Sequence, residues 1–114
     1  KIGLLSNNTS SGAAEARAVG VDDVFKVALF SAEVGCMKPH KEAFELLATK
    51  LEVNVSDMIF VDDSPKSLEK ASEIGYTPIL YKNMPEFLDE LKKLGIVTAD
   101  EIENTTHNTI YERL

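Results

Sequence analysis

Three short clusters carry side chains able to handle a phosphoryl group. Ser6, Asn7 and Asn8 end the apolar run "KIGLL"; Lys38 lies in "SAEVGCMKPH"; Asp62 and Asp63 lie in "MIFVDDSPKS". Singly, each has a plainer reading. A serine at a strand end turns the chain, two asparagines make a loop, and a lysine before proline is an exposed charge. The aspartates before Ser64-Pro65 could cap a helix, although two adjacent like charges raise each other's pKa and commonly attract a cation. Taken together they form a constellation. Carboxylates hold Mg²⁺, which binds through one or two of them plus substrate phosphate. A lysine and a hydroxyl neutralise and orient a phosphoryl group. A nucleophile is missing: Ser6 has no histidine near in sequence, and Cys36 has no identifiable base. His40 and His107 read as solvent-exposed.

These clusters converge only if the elements before them are parallel strands of one sheet. Short apolar runs at Ile2–Leu5, Val24–Phe30, Met58–Val61 and Thr77–Tyr81 alternate with segments of helical period. Phe44, Leu47, Ala48 and Leu51 form one helical stripe, Leu68, Ala71 and Ile74 a second, and Phe87, Leu88, Leu91 and Leu94 a third. A short alanine-rich helix is expected from about Ser11 to Val19. Pro39, Pro65 and Pro85 stand near helix starts, with Ser64 as an N-cap and Asn83–Glu86 spaced as a capping box. Gly20, Gly75 and Gly95 close helical patterns. Strands alternating with helices predict an α/β fold, a Rossmann-like doubly wound parallel sheet, whose ligands bind beyond the carboxyl ends of its strands.

The bulk composition is that of one ordinary globular domain. Twelve basic against nineteen acidic residues give a net charge of −7, which disfavours nucleic acid as a partner. No run approaches the ~20 apolar residues of a membrane span. The single cysteine fits a reducing, cytoplasmic location.

The segments "GLLSNNTS", "SAEVGCMKPHKEAFELLATKL" and "MIFVDDSPKSLEKASEIGYTPILY" resemble, in order and spacing, motifs II, III and IV of the haloacid dehalogenase-like hydrolases, most closely the phosphatase-like branch with a Lys-Pro motif. The resemblance implies that Ser6 hydrogen-bonds the transferring phosphoryl group, with Asn7 adding an amide contact. It implies that Lys38 pairs with the phosphate and the nucleophilic carboxylate. Asp63 would be a direct Mg²⁺ ligand and Asp62 a direct or water-mediated one. The substrate would be a small phosphorylated molecule, cleaved through an aspartyl-phosphate.

The nucleophile and general acid of the family form a DxD pair, motif I, on a central strand between the strands of motifs II and IV. No DxD occurs in this sequence; Glu101-Ile102-Glu103 has the spacing but lies beyond the last strand, and Ser67 stands where many relatives carry an acid or amide. Residues 1–96 are therefore expected to be the carboxyl-terminal part of a longer hydrolase core lacking its motif I strand. Any cap domain would be inserted upstream, because Ser6 to Lys38 has room for one helix and one strand. Residues 97–114 are read as a tail, with Thr98 and Glu101 spaced as a capping box at its start. The strands at 2–6 and 57–62 should then lack a neighbour, which leaves strand exchange or a homodimer open. The alternative is a non-catalytic, truncated module that binds phosphate, metal or a protein partner. A phospho-receiver domain has similar parts, but its acidic pair comes first and its lysine last.

Overall fold

The computed structural model describes residues 1–95. Four strands form two parallel pairs. β1 (Gly3–Ser6) lies beside β2 (Val27–Phe30), with Leu5 opposite Leu29 and Ser6 opposite Phe30. β3 (Ile59–Asp62) lies beside β4 (Thr77–Leu80), with Asp62 opposite Leu80. The helices are α1 (Ser10–Ala18), α2 (Val21–Val24), α3 (Ser31–Val34), α4 (Lys41–Leu51), α5 (Ala71–Ile74) and α6 (Met84–Lys93). Turns of 3₁₀ helix occupy Val55–Asp57 and Pro65–Leu68. The fold is α/β with parallel strands, as the alternating periods predict.

Both faces of the β1–β2 pair are covered, which is why these strands read as unbroken apolar runs. Leu5 and Leu29 pack with Ala43, Phe44, Leu47 and Ala48 of α4. On the other side Leu4 packs with Ala13 of α1, Phe25 and Phe30. α4 comes so close to β1 that a Cβ on Gly3 would stand 3.1 Å from the Leu47 and Leu51 side chains. Phe44 carries the same core across to the second pair of strands. It stacks on Tyr76 at 4.5 Å and meets Phe60 edge-on at 4.9 Å. Such contacts add about 0.5–1.5 kcal/mol each beyond area burial.

The two pairs share that core but no ladder joins them. Thr77 N–H donates to Met58 O and Tyr81 N–H to Asp62 O. The main-chain groups of Ile59 and Val61 must then point away from β4, toward a side where no described strand lies. On β4 the same alternation turns Pro78 outward, where its missing N–H blunts the edge. Among the described residues, β1 pairs only with β2 and β3 only with β4.

Several boundaries differ from the sequence reading. The run Val24–Phe30 is not one strand: a left-handed Gly20 starts α2, Phe25 is extended, and only Val27–Phe30 pairs. An unbroken apolar run cannot distinguish the end of a helix from the start of a strand. Asp22, drawn into α2, binds Arg17 of α1, whose guanidinium also reaches Glu33 of α3, Ala28 O and the Phe30 ring. Hydrogen bonding to Glu33 raises the Arg17 pKa and lowers that of the Glu33 carboxyl. The stripe Leu68–Ala71–Ile74 is split into a 3₁₀ turn and the single-turn α5, with Lys70 out of helical conformation between them. Ser64 makes no capping hydrogen bond with its side chain. Asn83 does cap α6, accepting from Glu86 N–H at 2.9 Å. The tail from residue 97, with Thr98, Glu101 and His107, lies outside the described residues.

Because Phe44 is fully buried and joins both strand pairs, Phe44→Ala should cost about 3–5 kcal/mol. Urea denaturation followed by far-UV circular dichroism will measure it.

Candidate functional site

The carboxyl ends of β1 and β3 and the loop after α3 meet in one hydrogen-bonded chain. β1 ends at Ser6, half-buried, and the chain turns through Asn7 and Asn8 into α1. Thr9 caps that helix, its hydroxyl accepting from Gly12 N–H at 3.1 Å. A Cβ on Gly12 would fall 2.0 Å from Asn8 Oδ1, so a larger residue there would displace the exposed Asn8 carboxamide. β2 runs directly into α3, which ends at a left-handed Gly35; the chain then continues through Cys36 and Met37 to Lys38.

Two reciprocal pairs lace these loops together. Asn8 N–H donates to Ser31 Oγ at 2.9 Å, and that hydroxyl donates to Asn8 O at 3.1 Å. Asn7 Nδ2 donates to Lys38 O at 3.0 Å, while Lys38 N–H donates to Asn7 Oδ1 at 2.8 Å. From this anchorage the Lys38 side chain runs inward. Its ammonium lies 5.4 Å from the centre of the Phe60 ring and 2.5 Å from Asp62 Oδ2. The other Asp62 oxygen accepts from Ser64 N–H at 2.9 Å.

This pair is the only buried polar or charged pair of residues among those described: Lys38 is 5% and Asp62 1% exposed. Each charge removed from water costs several kcal/mol, which is offset only when the geometry is good and the remaining lone pairs are used. Here the short contact and the Ser64 amide meet that condition. The negative charge of Asp62 is also felt by Tyr76. Burial first, and the Asp62 charge second, push its phenol up to about 12, and its hydroxyl donates to Ser67 O at 3.4 Å.

The structure therefore brings Asn7, Lys38 and Asp62 into direct contact, with Ser6 and Asp63 as their chain neighbours. Asp63 is exposed, whereas Asp62 turns inward to Lys38 and to the turn that follows. Asp62 does not cap the turn that follows: it accepts from the N–H of Ser64, the N-cap residue itself, in an Asx-type turn. Cys36 is half-buried against the main core, and His40 is exposed at the start of α4. Ser31 was not among the sequence candidates, although it follows an apolar run as Ser6 does. Tyr76 carried no signal, since its place beside Asp62 depends on how β4 is approached.

The family model for haloacid dehalogenase-like hydrolases matches residues 1–75, and the chain belongs to that family. Among curated proteins, mouse bifunctional epoxide hydrolase 2 is 30% identical over 70 residues, which are 61% of this chain and 13% of that protein. The chain thus corresponds to a small part of the curated relatives it matches. Among solved structures, an uncharacterized protein from Corynebacterium glutamicum superposes with a TM-score of 0.72 at 28% identity, over 84% of this chain and 72% of that one. A HAD family enzyme from Bacteroides thetaiotaomicron, solved in complex with magnesium and inorganic phosphate, has a TM-score of 0.62 at 24% identity, over 70% of this chain and 44% of its own.

Two outcomes follow from the buried charges. Lys38→Met strands the Asp62 carboxylate and should lower stability by about 3–5 kcal/mol, most of which Lys38→Met/Asp62→Leu should restore. Urea titrations of the single and double variants at neutral pH will measure both. For Tyr76, the folded state keeps its phenol proton up to about 12, whereas the unfolded chain releases it near about 10. The associated stability is complete below the unfolded value and is lost as pH rises through the folded one. Tyr76→Phe should flatten that part of the alkaline stability profile.

Proposed function

We propose that this chain is the phosphate-handling part of a Mg²⁺-dependent phosphatase acting on a small phosphorylated molecule, with the nucleophilic aspartate on a strand outside this sequence. The observation that carries the reading is the buried Lys38–Asp62 pair, tied through Asn7 to the end of β1. A lysine fixed by a carboxylate at the carboxyl ends of parallel strands is placed where open α/β sheets bind ligands.

In the proposed reaction, an aspartate oxygen bonds to phosphorus while the substrate alkoxide leaves with a proton from a general acid. Water then attacks the phosphorus of the aspartyl-phosphate, the bond to the aspartate breaks, and inorganic phosphate departs. Lys38 supplies positive charge to the phosphoryl oxygens and the attacking carboxylate. Ser6 donates its hydroxyl to the phosphoryl group, and Asn7 adds an amide contact. Asp62 acts chiefly as the counter-ion of Lys38, since both its oxygens are already engaged by Lys38 and Ser64.

Asp63, exposed at the end of β3, is then the carboxylate for the metal. Among the described residues no three metal-binding side chains converge. That fits an ion held by Asp63 together with a carboxylate of the added strand, because Mg²⁺ needs only one or two carboxylates besides phosphate and water. When bound, the ion would polarise a phosphoryl oxygen. The Bacteroides protein, of similar fold, was solved with magnesium and phosphate.

The open edges of β1 and β3 support a missing strand between them, supplied by another segment of a longer protein or by exchange in a homodimer. No described helix is long and apolar enough to cross a membrane. With its one cysteine free, we assign the protein to the cytoplasm. The second reading is a non-catalytic module that binds phosphate, metal or a protein partner, with Asp63 as the exposed carboxylate of such a site.

The chain mixed with a segment supplying an apolar strand and DxD should hydrolyse p-nitrophenyl phosphate. Turnover should vanish with EDTA and fall by about 100-fold or more in Lys38→Ala. A folded complex with no metal-dependent turnover would overturn the phosphatase reading. Mg²⁺ or phosphate binding without turnover, abolished by Asp63→Ala, would establish the binding module.

A further inference from the structure

We infer that Asn7 is a positioning residue for Lys38, whose carboxamide sets the main chain from which the ammonium reaches Asp62. The inference rests on the proposed function only for what Lys38 does to a substrate; the clamp itself stands on geometry.

Asn7 Nδ2 donates to Lys38 O at 3.0 Å and Asn7 Oδ1 accepts from Lys38 N–H at 2.8 Å. A single planar carboxamide thus satisfies both main-chain polar groups of one residue, 31 positions away in the chain. Few other side chains could do so from this position. Aspartate lacks the donor, serine is too short for two divergent contacts, and glutamine adds a methylene between backbone and amide.

Lys38 needs the clamp because of where it lies. It belongs to neither α3, which ends at Val34, nor α4, which begins at Lys41. Pro39, the next residue, brings no N–H of its own. Lys38 is only 5% exposed, so its N–H and C=O are poorly served by water, and leaving such groups unpaired costs about 1–3 kcal/mol. A side chain with four methylenes reaches a single oxygen at 2.5 Å only if its Cα is fixed. The adjacent Asn8–Ser31 pair steadies the same loop from its other end. The sequence order Ser6-Asn7 thereby couples the phosphate-binding end of β1 to the lysine that serves the same group.

The reactivity of the Lys38 amine tests this in the full chain without requiring turnover. Trace acetylation with isotopic acetic anhydride, read by mass spectrometry, compares Lys38 with the exposed Lys41 in one sample. The wild type should label Lys38 far more slowly than Lys41. Asn7→Ala should raise the Lys38 rate by about 10-fold or more, the factor corresponding to the loss of a buried hydrogen bond. Asn83→Ala, which removes the cap of α6 at a comparable cost in stability, should leave Lys38 protected.

Unchanged Lys38 labelling in Asn7→Ala would overturn the inference, as would equal exposure in Asn83→Ala. Should Asn7→Ala not fold, amide hydrogen exchange of the wild type decides. The Lys38 amide should be protected, and exchange at the rate of a free loop would refute the clamp. A negative labelling result removes the clamp alone, whereas absent turnover in the complemented complex removes the phosphatase reading alone.

Discussion

The contact between the Lys38 ammonium and the Asp62 carboxylate carries a constraint that the surrounding structure must meet. Both groups are almost completely withdrawn from water, so removing either one would leave its partner buried without a counter-charge. The pair reaches from the loop after α3 to the end of β3, so it ties together strand pairs that share no ladder. Below it, Phe60 presents its ring to the ammonium, and Phe44 and Tyr76 complete an aromatic floor under the same core. The polar tie and the apolar floor need each other. The floor excludes water, and exclusion of water makes the charge contact strong.

The open edges of β1 and β3 give the family assignment its particular form. Membership in the haloacid dehalogenase-like hydrolases follows from the match over residues 1–75. The resemblance implies a further central strand bearing an aspartate pair, and this sequence holds no DxD. Four strands nonetheless keep their parallel sense in pairs, because α4 packs on β1 and β2 while its Phe44 reaches β3 through Phe60. The core is thus sufficient to hold Asn7, Lys38 and Asp62 in contact at the strand ends although no ladder joins the two pairs.

How much of this was legible in the sequence varies with how local the cause is. Thr9 and Asn83 act within one helical turn, and of these the Asn83–Glu86 spacing was enough to find the cap. Ser6, Asn7, Lys38, Asp62 and Asp63 stood out in the sequence because ligands of a parallel α/β sheet bind beyond its strand ends, and the structure brings three of them, Asn7, Lys38 and Asp62, into contact. The division of Pro65–Ile74 into a 3₁₀ turn and a single helical turn was not found, since three apolar positions at helical spacing fit either arrangement. The strand boundary at Val27 was missed for a similar reason: the residues before it are just as apolar as those within it.

By itself the sequence determined the class of fold, the parallel sense of its strands and the residue types gathered at their ends, because hydrophobic period and cap chemistry act over a few residues. Only the tertiary structure decided which partners those residues take. Asp62 shares a strand face with Phe60 and is carried inward, while Asp63, one position on, is carried outward. That alternation divides the acidic pair into a counter-ion for Lys38 and an exposed carboxylate. Asn7 likewise became a clamp on Lys38 through a contact across 31 residues, which no spacing in the sequence encodes.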